Sequence, residues 1–198
     1  MSDEQACGDS VDPHVGDQSS NGGGLTPGDA DIVTRQLGRT PRGAVKVAWR
    51  CPQGHPGVVM TRPRLSDGTP FPTLYYLTCP AIVKACSTLE ADGLMASLTA
   101  RLTDDVQFAA AYGQAHDSYL VDRETLAQEL GIEVPEISGI SAGGMPSRVK
   151  CLHTVVAHSL AKGPGVNPCG DEALEAIGVF CRSGCAQVCG PASEREVS

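Results

Sequence analysis

The character of the sequence changes at the Cys79-Pro80 junction. Before it, the runs "GAVKVAWRC", "GVVMTRPRL" and "TLYYLTC" are rich in β-branched and aromatic residues, and the turn-forming stretches "PQGHP" and "SDGTPFP" separate them. Such runs favour strands joined by short connections, so residues 43–79 are predicted to form a three-stranded antiparallel meander. After the junction, apolar residues recur at helical spacing. The chain is therefore predicted to be α+β, with a small antiparallel β-meander packed against a layer of helices.

The clearest helical pattern spans residues 104–130. Its apolar side chains share one stripe: Phe108, Tyr112, Ala115, Tyr119, Leu126 and Leu130. Shorter helices are predicted over 29–38, 80–93, 94–102, 147–162 and 170–180, several of them ending at a glycine. For the first of these, Asp29 or Asp31 is expected near the N-cap.

The two ends of the chain differ from its centre. Residues 1–28 contain almost no large apolar side chains and are predicted to be a disordered acidic tail. Residues 29–178 are predicted to form a single α+β domain. Residues 179–198, which carry Cys181, Cys185 and Cys189, are predicted to be a flexible tail.

Charge and hydropathy exclude several classes of protein. The net charge of −8 argues against a nucleic-acid binder, which needs a basic face to neutralise phosphates. No apolar run approaches the roughly 20 residues of a membrane span, and the acidic N-terminus does not resemble a signal peptide. We therefore expect a cytoplasmic protein that neither spans a membrane nor binds nucleic acid.

Nine cysteines in such a chain are expected to be reduced thiols, so metal binding, catalysis and simple burial are the alternatives. In a meander the first and third strands run the same way, which predicts Cys51 and Cys79 at one sheet edge. In a continuous helix over 147–162, Cys151 and His158 share a face. The candidate metal ligands are therefore Cys51, Cys79, Cys151 and His158, for zinc or an iron–sulfur cluster. The paired C-x2-C spacing typical of zinc sites is absent, and buried or reactive thiols remain open alternatives.

His153 is predicted to lie elsewhere. On the same continuous helix it points away from Cys151 and His158, towards the side of Lys150. It therefore joins a second candidate site in "GISAGGMPSRVK", a glycine-rich loop that feeds a helix N-terminus and favours anions. The candidate anion-binding residues are Ser141, Gly143, Gly144, Arg148, Lys150 and His153. A loop without a ligand is the alternative.

Long irregular motifs give the chain a family resemblance. "RCPQGHPGVV", "PRLSDGTPFPTLYYLTCP" and "GISAGGMPSRVKCLHTVVAHSLAKGPGVNPCGDEAL" resemble the actinobacterial family called domain of unknown function 501, roughly from Asp29 to Ile177. The resemblance implies a cytosolic protein, often encoded near genes of cell division and polyphosphate metabolism. It implies no activity and assigns no functional residue.

Three hypotheses of function follow. The first is an accessory protein that binds a metal ion or a small anion. The second is a small hydrolase or transferase acting on a phosphorylated or acidic substrate, with Lys150, His153 and the 141–144 loop in its pocket. The third is an interaction protein linked to cell division, which docks a protein partner through the 104–130 helix.

Overall fold

The computed structural model describes residues 25–178. The predicted disorder of residues 1–24 and the predicted flexible tail over 179–198 lie outside this range.

The predicted start of the domain at residue 29 is two residues too late, because helix α1 (Pro27–Leu37) already includes Pro27 and Gly28. Its N-cap is Thr26, whose hydroxyl accepts a hydrogen bond from the Asp29 N–H, so Asp29 lies in the first turn near the cap, as predicted. Asp29 also forms an ion pair with Arg50 of the first strand.

The predicted meander is confirmed. Strands β1 (Ala44–Arg50), β2 (Pro56–Thr61) and β3 (Tyr75–Leu77) form one sheet in the order β1-β2-β3, and both pairs are antiparallel. Every residue of the central strand β2 is buried. The strand ends at Thr61, just before Pro63, which has no N–H to donate to a ladder and is predicted to lie at a strand end.

Residues 25–178 also form six helices, which confirms the α+β class. After α1 come α2 (Pro80–Ala91), α3 (Leu94–Asp104), α4 (Val106–Glu129), α5 (Leu152–Lys162) and α6 (Pro168–Ile177), with a short 3-10 turn at Pro135–Ile137. Among the described residues, no helix combines the length and apolar character that a membrane crossing requires.

The apolar stripe of α4 faces the core as predicted, with one exception. Phe108, Tyr112, Ala115, Tyr119 and Leu126 are all buried. The Tyr119 hydroxyl also accepts a 2.6 Å hydrogen bond from the Leu74 N–H, which ties α4 to the chain just before β3. Leu130 follows the end of the helix and is exposed, so its predicted place in the stripe is wrong.

Helix α5 occupies the centre of the molecule, where it packs against β3, α2 and α6. It begins at Leu152, so the predicted continuous helix from Ser147 is wrong. The positive φ angles of Gly143 and Gly144 turn the preceding loop back on itself, and their carbonyls accept hydrogen bonds from the N–H groups of Lys150 and Arg148. Cys151 follows in an extended conformation and is the N-cap residue of α5.

Candidate metal centre

Glu90, Cys151 and His153 form a compact cluster where α2 meets the start of α5. Each residue offers one donor atom, and the three atoms lie within 4.8 Å of one another. No other set of three or more histidine, cysteine or acidic residues within 25–178 is grouped this closely. We call these three residues the Cys-His-Glu cluster.

The fold explains how residues so distant in sequence meet. Glu90 lies in the last turn of α2, and Cys151 and His153 are the N-cap and the second residue of α5. The Leu152 N–H donates a 2.7 Å hydrogen bond to Oε1 of Glu90, so the carboxylate satisfies one of the free N–H groups at the start of α5. A negative charge at this position is also stabilised by the helix dipole. The same contact therefore holds α2 against α5 and brings the carboxylate to the cluster.

Nδ1 of His153 is the central atom of the cluster. It lies 3.7 Å from Sγ of Cys151 and 3.1 Å from Oε1 of Glu90. The other ring nitrogen, Nε2, lies 3.2 Å from the carbonyl oxygen of Val83 and 3.4 Å from the Ser87 hydroxyl. A proton on Nε2 that is donated to the Val83 carbonyl leaves Nδ1 free to act as a ligand.

The electrostatics of the cluster favour charged side chains. Burial by itself would raise the pKa of the Cys151 thiol, but the interactions with His153 and with the polar groups of Thr154 outweigh it, so the pKa is lowered. Conversely, the interaction with Cys151 and the charge of Glu90 raise the pKa of His153 to about 9, against the opposing effect of burial. Without a metal ion, Cys151 and His153 therefore each stabilise the charged form of the other.

The cluster is accessible from solvent. About a quarter of the His153 side chain (26%) and of the Glu90 side chain (24%) is exposed. An open groove of about 590 Å³ lies beside the cluster, and its wall contains Glu90, residues of α3 and Val149, but not Cys151 or His153. A small molecule in the groove can therefore reach the Glu90 side of the cluster.

Two of the predicted metal ligands lie at the sheet edge, as the meander implies. The Cys51 N–H donates to the His55 carbonyl and the Cys79 N–H donates to the Gly57 carbonyl, so both residues flank the start of β2. Both are buried, and Cys79 is the N-cap residue of α2 as predicted. Sγ of Cys51 lies 3.9 Å from Nδ1 of His55. Neither cysteine belongs to the Cys-His-Glu cluster.

The third and fourth predicted ligands, Cys151 and His158, lie in different surroundings. His158 is fully buried and stacks on the ring of Tyr75, with Tyr119 edge-on to it. Its Nδ1 lies 3.2 Å from the amide nitrogen of Asn167. The prediction that His158 faces inward is confirmed. The prediction that His153 points away from Cys151 is wrong, because Cys151 precedes the helix and helical angles do not apply to it.

The predicted anion-binding residues are divided between two environments. Ser141 is buried, and its hydroxyl lies 2.8 Å from Nδ1 of His116. Gly143 and Gly144 have positive φ angles, and their carbonyls are bonded to the N–H groups of Lys150 and Arg148. The side chains of Arg148 and Lys150 are exposed. His153 instead contacts Cys151 and Glu90. The hydrogen bonds of the loop and those of His153 therefore belong to two separate groups of residues.

Glu90 is the residue that the sequence does not reveal. It occupies an ordinary position near the end of a short amphipathic helix, and Leu152, which it contacts, lies 62 residues further along the chain. The one feature of the sequence that indicates the cluster is the C-x-H spacing of Cys151 and His153. A cysteine at an N-cap followed by a histidine in the first turn places both side chains at the same helix end, whereas the interpretation as one continuous helix separates them.

Comparison with known proteins identifies the family of the chain. No curated protein and no solved structure matches the chain. A family model described as a protein of unknown function, DUF501, matches residues 47–175, which include β2, β3, α2–α5 and all three residues of the cluster. The chain therefore belongs to the DUF501 family.

Proposed function

We propose that this protein binds one divalent transition-metal ion, of the zinc class, through Glu90, Cys151 and His153. The observation that carries the proposal is the spacing of the donor atoms. Tetrahedral zinc, with bonds of about 2.3 Å to sulfur and about 2.0–2.1 Å to nitrogen and oxygen, places sulfur and nitrogen about 3.5 Å apart and nitrogen and oxygen about 3.3 Å apart. The corresponding distances in the cluster are 3.7 Å and 3.1 Å. The third pair, Sγ of Cys151 and the Glu90 oxygen, lies within 4.8 Å, against about 3.5 Å around tetrahedral zinc. The thiolate and the carboxylate would therefore have to close on the ion by up to about 1 Å.

The surroundings of His153 support the same assignment. Histidines that bind metals usually donate their second ring N–H to a carbonyl or carboxylate, which fixes the tautomer and the orientation of the ring. The Val83 carbonyl, 3.2 Å from Nε2, is in the position to accept that hydrogen bond. Because α2 supplies both Val83 and Glu90, one helix orients the histidine and provides a neighbouring ligand.

The chemistry of the donor atoms favours zinc over an iron–sulfur cluster. Iron–sulfur clusters are generally held by four cysteine thiolates, and the Cys-His-Glu cluster contains one sulfur. Thiolate, imidazole and carboxylate are each ordinary ligands of zinc. The lowered pKa of Cys151 acts in the same direction, because only the thiolate binds the metal.

Metal binding by variants of the full-length chain tests the proposal. Co²⁺ is titrated into the metal-free protein, and the charge-transfer absorption from thiolate to cobalt reports binding through sulfur. We expect Cys151→Ser to abolish this absorption, and His153→Gln and Glu90→Gln each to weaken binding by at least about tenfold. The glutamine at position 90 keeps an oxygen that can accept from the Leu152 N–H, so the fold contact is retained.

Cys51→Ser and Cys79→Ser are the matched controls, because they remove thiols that the sequence alone suggests as ligands. Binding through the Cys-His-Glu cluster predicts that both variants keep the cobalt absorption of the unmodified protein. Loss of that absorption in Cys51→Ser or Cys79→Ser, with retention in Cys151→Ser, would refute the proposal and favour the ligand set predicted from the sequence.

A second candidate function is thiol chemistry at Cys151, which the electrostatics of the metal-free cluster favour. A thiolate at a helix N-terminus next to a protonated histidine is the arrangement of many reactive cysteines. Its test is the rate of iodoacetamide alkylation, site by site, in metal-free protein at pH 7. Cys151 should react faster than Cys86, a buried thiol whose pKa burial raises to about 12.

The third hypothesis, that α4 docks a partner protein, has to be restricted to the face of the helix that is exposed. The apolar stripe of this helix is used inside the molecule, so a partner protein would have to contact the opposite face. Val121 on that face is 64% exposed. A pull-down in which Val121→Glu removes a partner, while the fold is retained, would support this hypothesis.

A further inference from the structure

We infer that the metal centre keeps an open coordination position at the end of the groove beside α3, and that this position takes a small aliphatic molecule with one anionic, metal-binding head group. The inference rests on the proposed metal site and goes further by assigning the class of ligand. Carboxylates, thiolates and hydroxamates share the required chemistry, because each offers a negatively charged donor atom to the metal.

The number of protein ligands is the first argument. The cluster provides three donor atoms within reach of one ion, whereas zinc is usually four-coordinate. Three protein ligands and one exchangeable position are typical of zinc sites that bind water and then a substrate, whereas structural zinc sites have four protein ligands. Thiolate and carboxylate together neutralise the two charges of the ion, so a further anionic ligand is not strongly repelled.

The position of the groove is the second argument. Glu90 belongs both to the cluster and to the wall of the groove, and Val149, also in the wall, precedes Cys151 by two residues. Cys151 and His153 do not line the groove, so a ligand would meet the metal from the Glu90 side and extend from there along α3. The volume of about 590 Å³ lies within the range of small-molecule sites.

The lining of the groove is the third argument, and it defines the body of the ligand. Met95, Ala96, Ala100 and Val149 supply apolar surface, and Glu90 is the single charged residue in the wall. Thr99 is already engaged, because its hydroxyl accepts a 3.0 Å hydrogen bond from the Val149 N–H. The groove therefore offers no cation to a second anionic group and favours an aliphatic chain.

Alkyl hydroxamates of increasing chain length test this assignment on the Co²⁺-loaded full-length protein. Binding of the head group to cobalt changes the visible absorption of the metal, which gives the dissociation constant of each compound. We expect affinity to rise about two- to threefold for each added methylene that the groove covers, somewhat less than for complete burial of the group. Ala100→Trp should remove this dependence on chain length while cobalt still binds, because Ala100 is exposed on α3 and lines the groove.

Ser97→Trp is the matched control, since Ser97 is an exposed residue of the same helix that does not line the groove. It should leave the chain-length dependence unchanged. Affinity that does not vary with chain length, or that falls equally in both tryptophan variants, would overturn the inference about the groove and leave the metal site intact. Cobalt absorption that does not respond to any hydroxamate would show that the fourth position is already filled by the protein and would overturn the inference as well. Failure of Co²⁺ to bind the unmodified protein through Cys151 would refute the proposed function itself.

Discussion

Helix α5 carries two histidines whose surroundings have opposite effects on the imidazole. His153, in the first turn, is about one quarter exposed and lies beside a thiol and a carboxylate, and its pKa is raised to about 9. His158, little more than one turn later, is fully buried between two tyrosine rings, and burial lowers its pKa to about 4. The charge of Asp122 and that of Lys162 act on His158 in opposite directions and do not reverse the effect of burial.

This difference shows that residue type alone does not identify a ligand. Both histidines are followed along the chain by small or apolar residues, and both are candidates in the sequence. At His153 the neighbouring anions stabilise a positive charge, whether that charge is a proton or a metal ion. At His158 the aromatic surroundings favour the neutral ring, which acts as part of the core. The predictions below test this division of roles.

The largest expected effect is on stability. We expect His158→Ala to lower the free energy of unfolding by about 2–4 kcal/mol, because the change leaves a cavity next to Tyr75 and Tyr119. His153→Ala in metal-free protein should cost about 1 kcal/mol or less, since a partly exposed side chain with a charged partner contributes little. Urea denaturation at pH 7 measures both values. Equal losses in the two variants would contradict the assignment of one histidine to the core and the other to the site.

The second expected effect is a loss of stability in acid. Because the pKa of His158 is about 4 in the folded protein and about 6.5 in the unfolded chain, the unfolded chain binds an extra proton between these values. The contribution is complete above pH 6.5 and is lost as the pH falls towards 4, by about 3 kcal/mol in total. Denaturation at several pH values should show this slope in the metal-free protein. The slope should be smaller in His158→Gln, and an unchanged slope would assign the acid sensitivity to other groups.

A smaller effect is expected from the loop before Cys151. Gly144 has a φ of 93°, and an added Cβ would lie 2.6 Å from the Arg148 carbonyl oxygen, so Gly144→Ala should destabilise the protein by about 1–3 kcal/mol. Gly139→Ala is the control, because φ is 68° there but no atom lies within 4 Å of the added Cβ. If the loop fixes the position of Cys151, the first variant should also bind Co²⁺ more weakly than the second. Equal affinities would show that the loop and the metal centre are independent.

The sequence predicts those parts of the molecule that depend on local periodicity. The three strands and the α4 stripe follow from alternating and helical patterns within short segments, so the meander and the buried face of α4 are confirmed. The error at Leu130 is local too, since it comes from the assumed end of the helix. Element boundaries depend on single turns, which is why Pro27 lies inside α1 and Ser147 outside α5.

The candidate site could not be predicted in the same way, because it depends on two features that are not local. One is the start of α5, which the hydrogen bonds of Gly143 and Gly144 delay to Leu152. The other is the packing of α2 against α5, which brings Glu90 to Cys151. Once α5 begins after Cys151, the angular argument that separates this cysteine from His153 no longer applies. The sequence suggests Cys151 as a candidate metal ligand and His153 as a candidate anion contact, whereas their grouping with Glu90 follows only from the tertiary structure.

X-ray absorption at the zinc edge of the zinc-loaded full-length protein tests the proposed centre most directly, because it counts the sulfur atoms bound to the metal. Coordination by Glu90, Cys151 and His153 predicts one sulfur at about 2.3 Å, with nitrogen and oxygen ligands at about 2.0–2.1 Å. The ligand set suggested by the sequence alone contains three cysteines and therefore predicts three sulfur atoms. A spectrum with one sulfur per zinc, lost in Cys151→Ser, is the result that we expect. Two or more sulfur atoms per zinc would contradict the Cys-His-Glu centre.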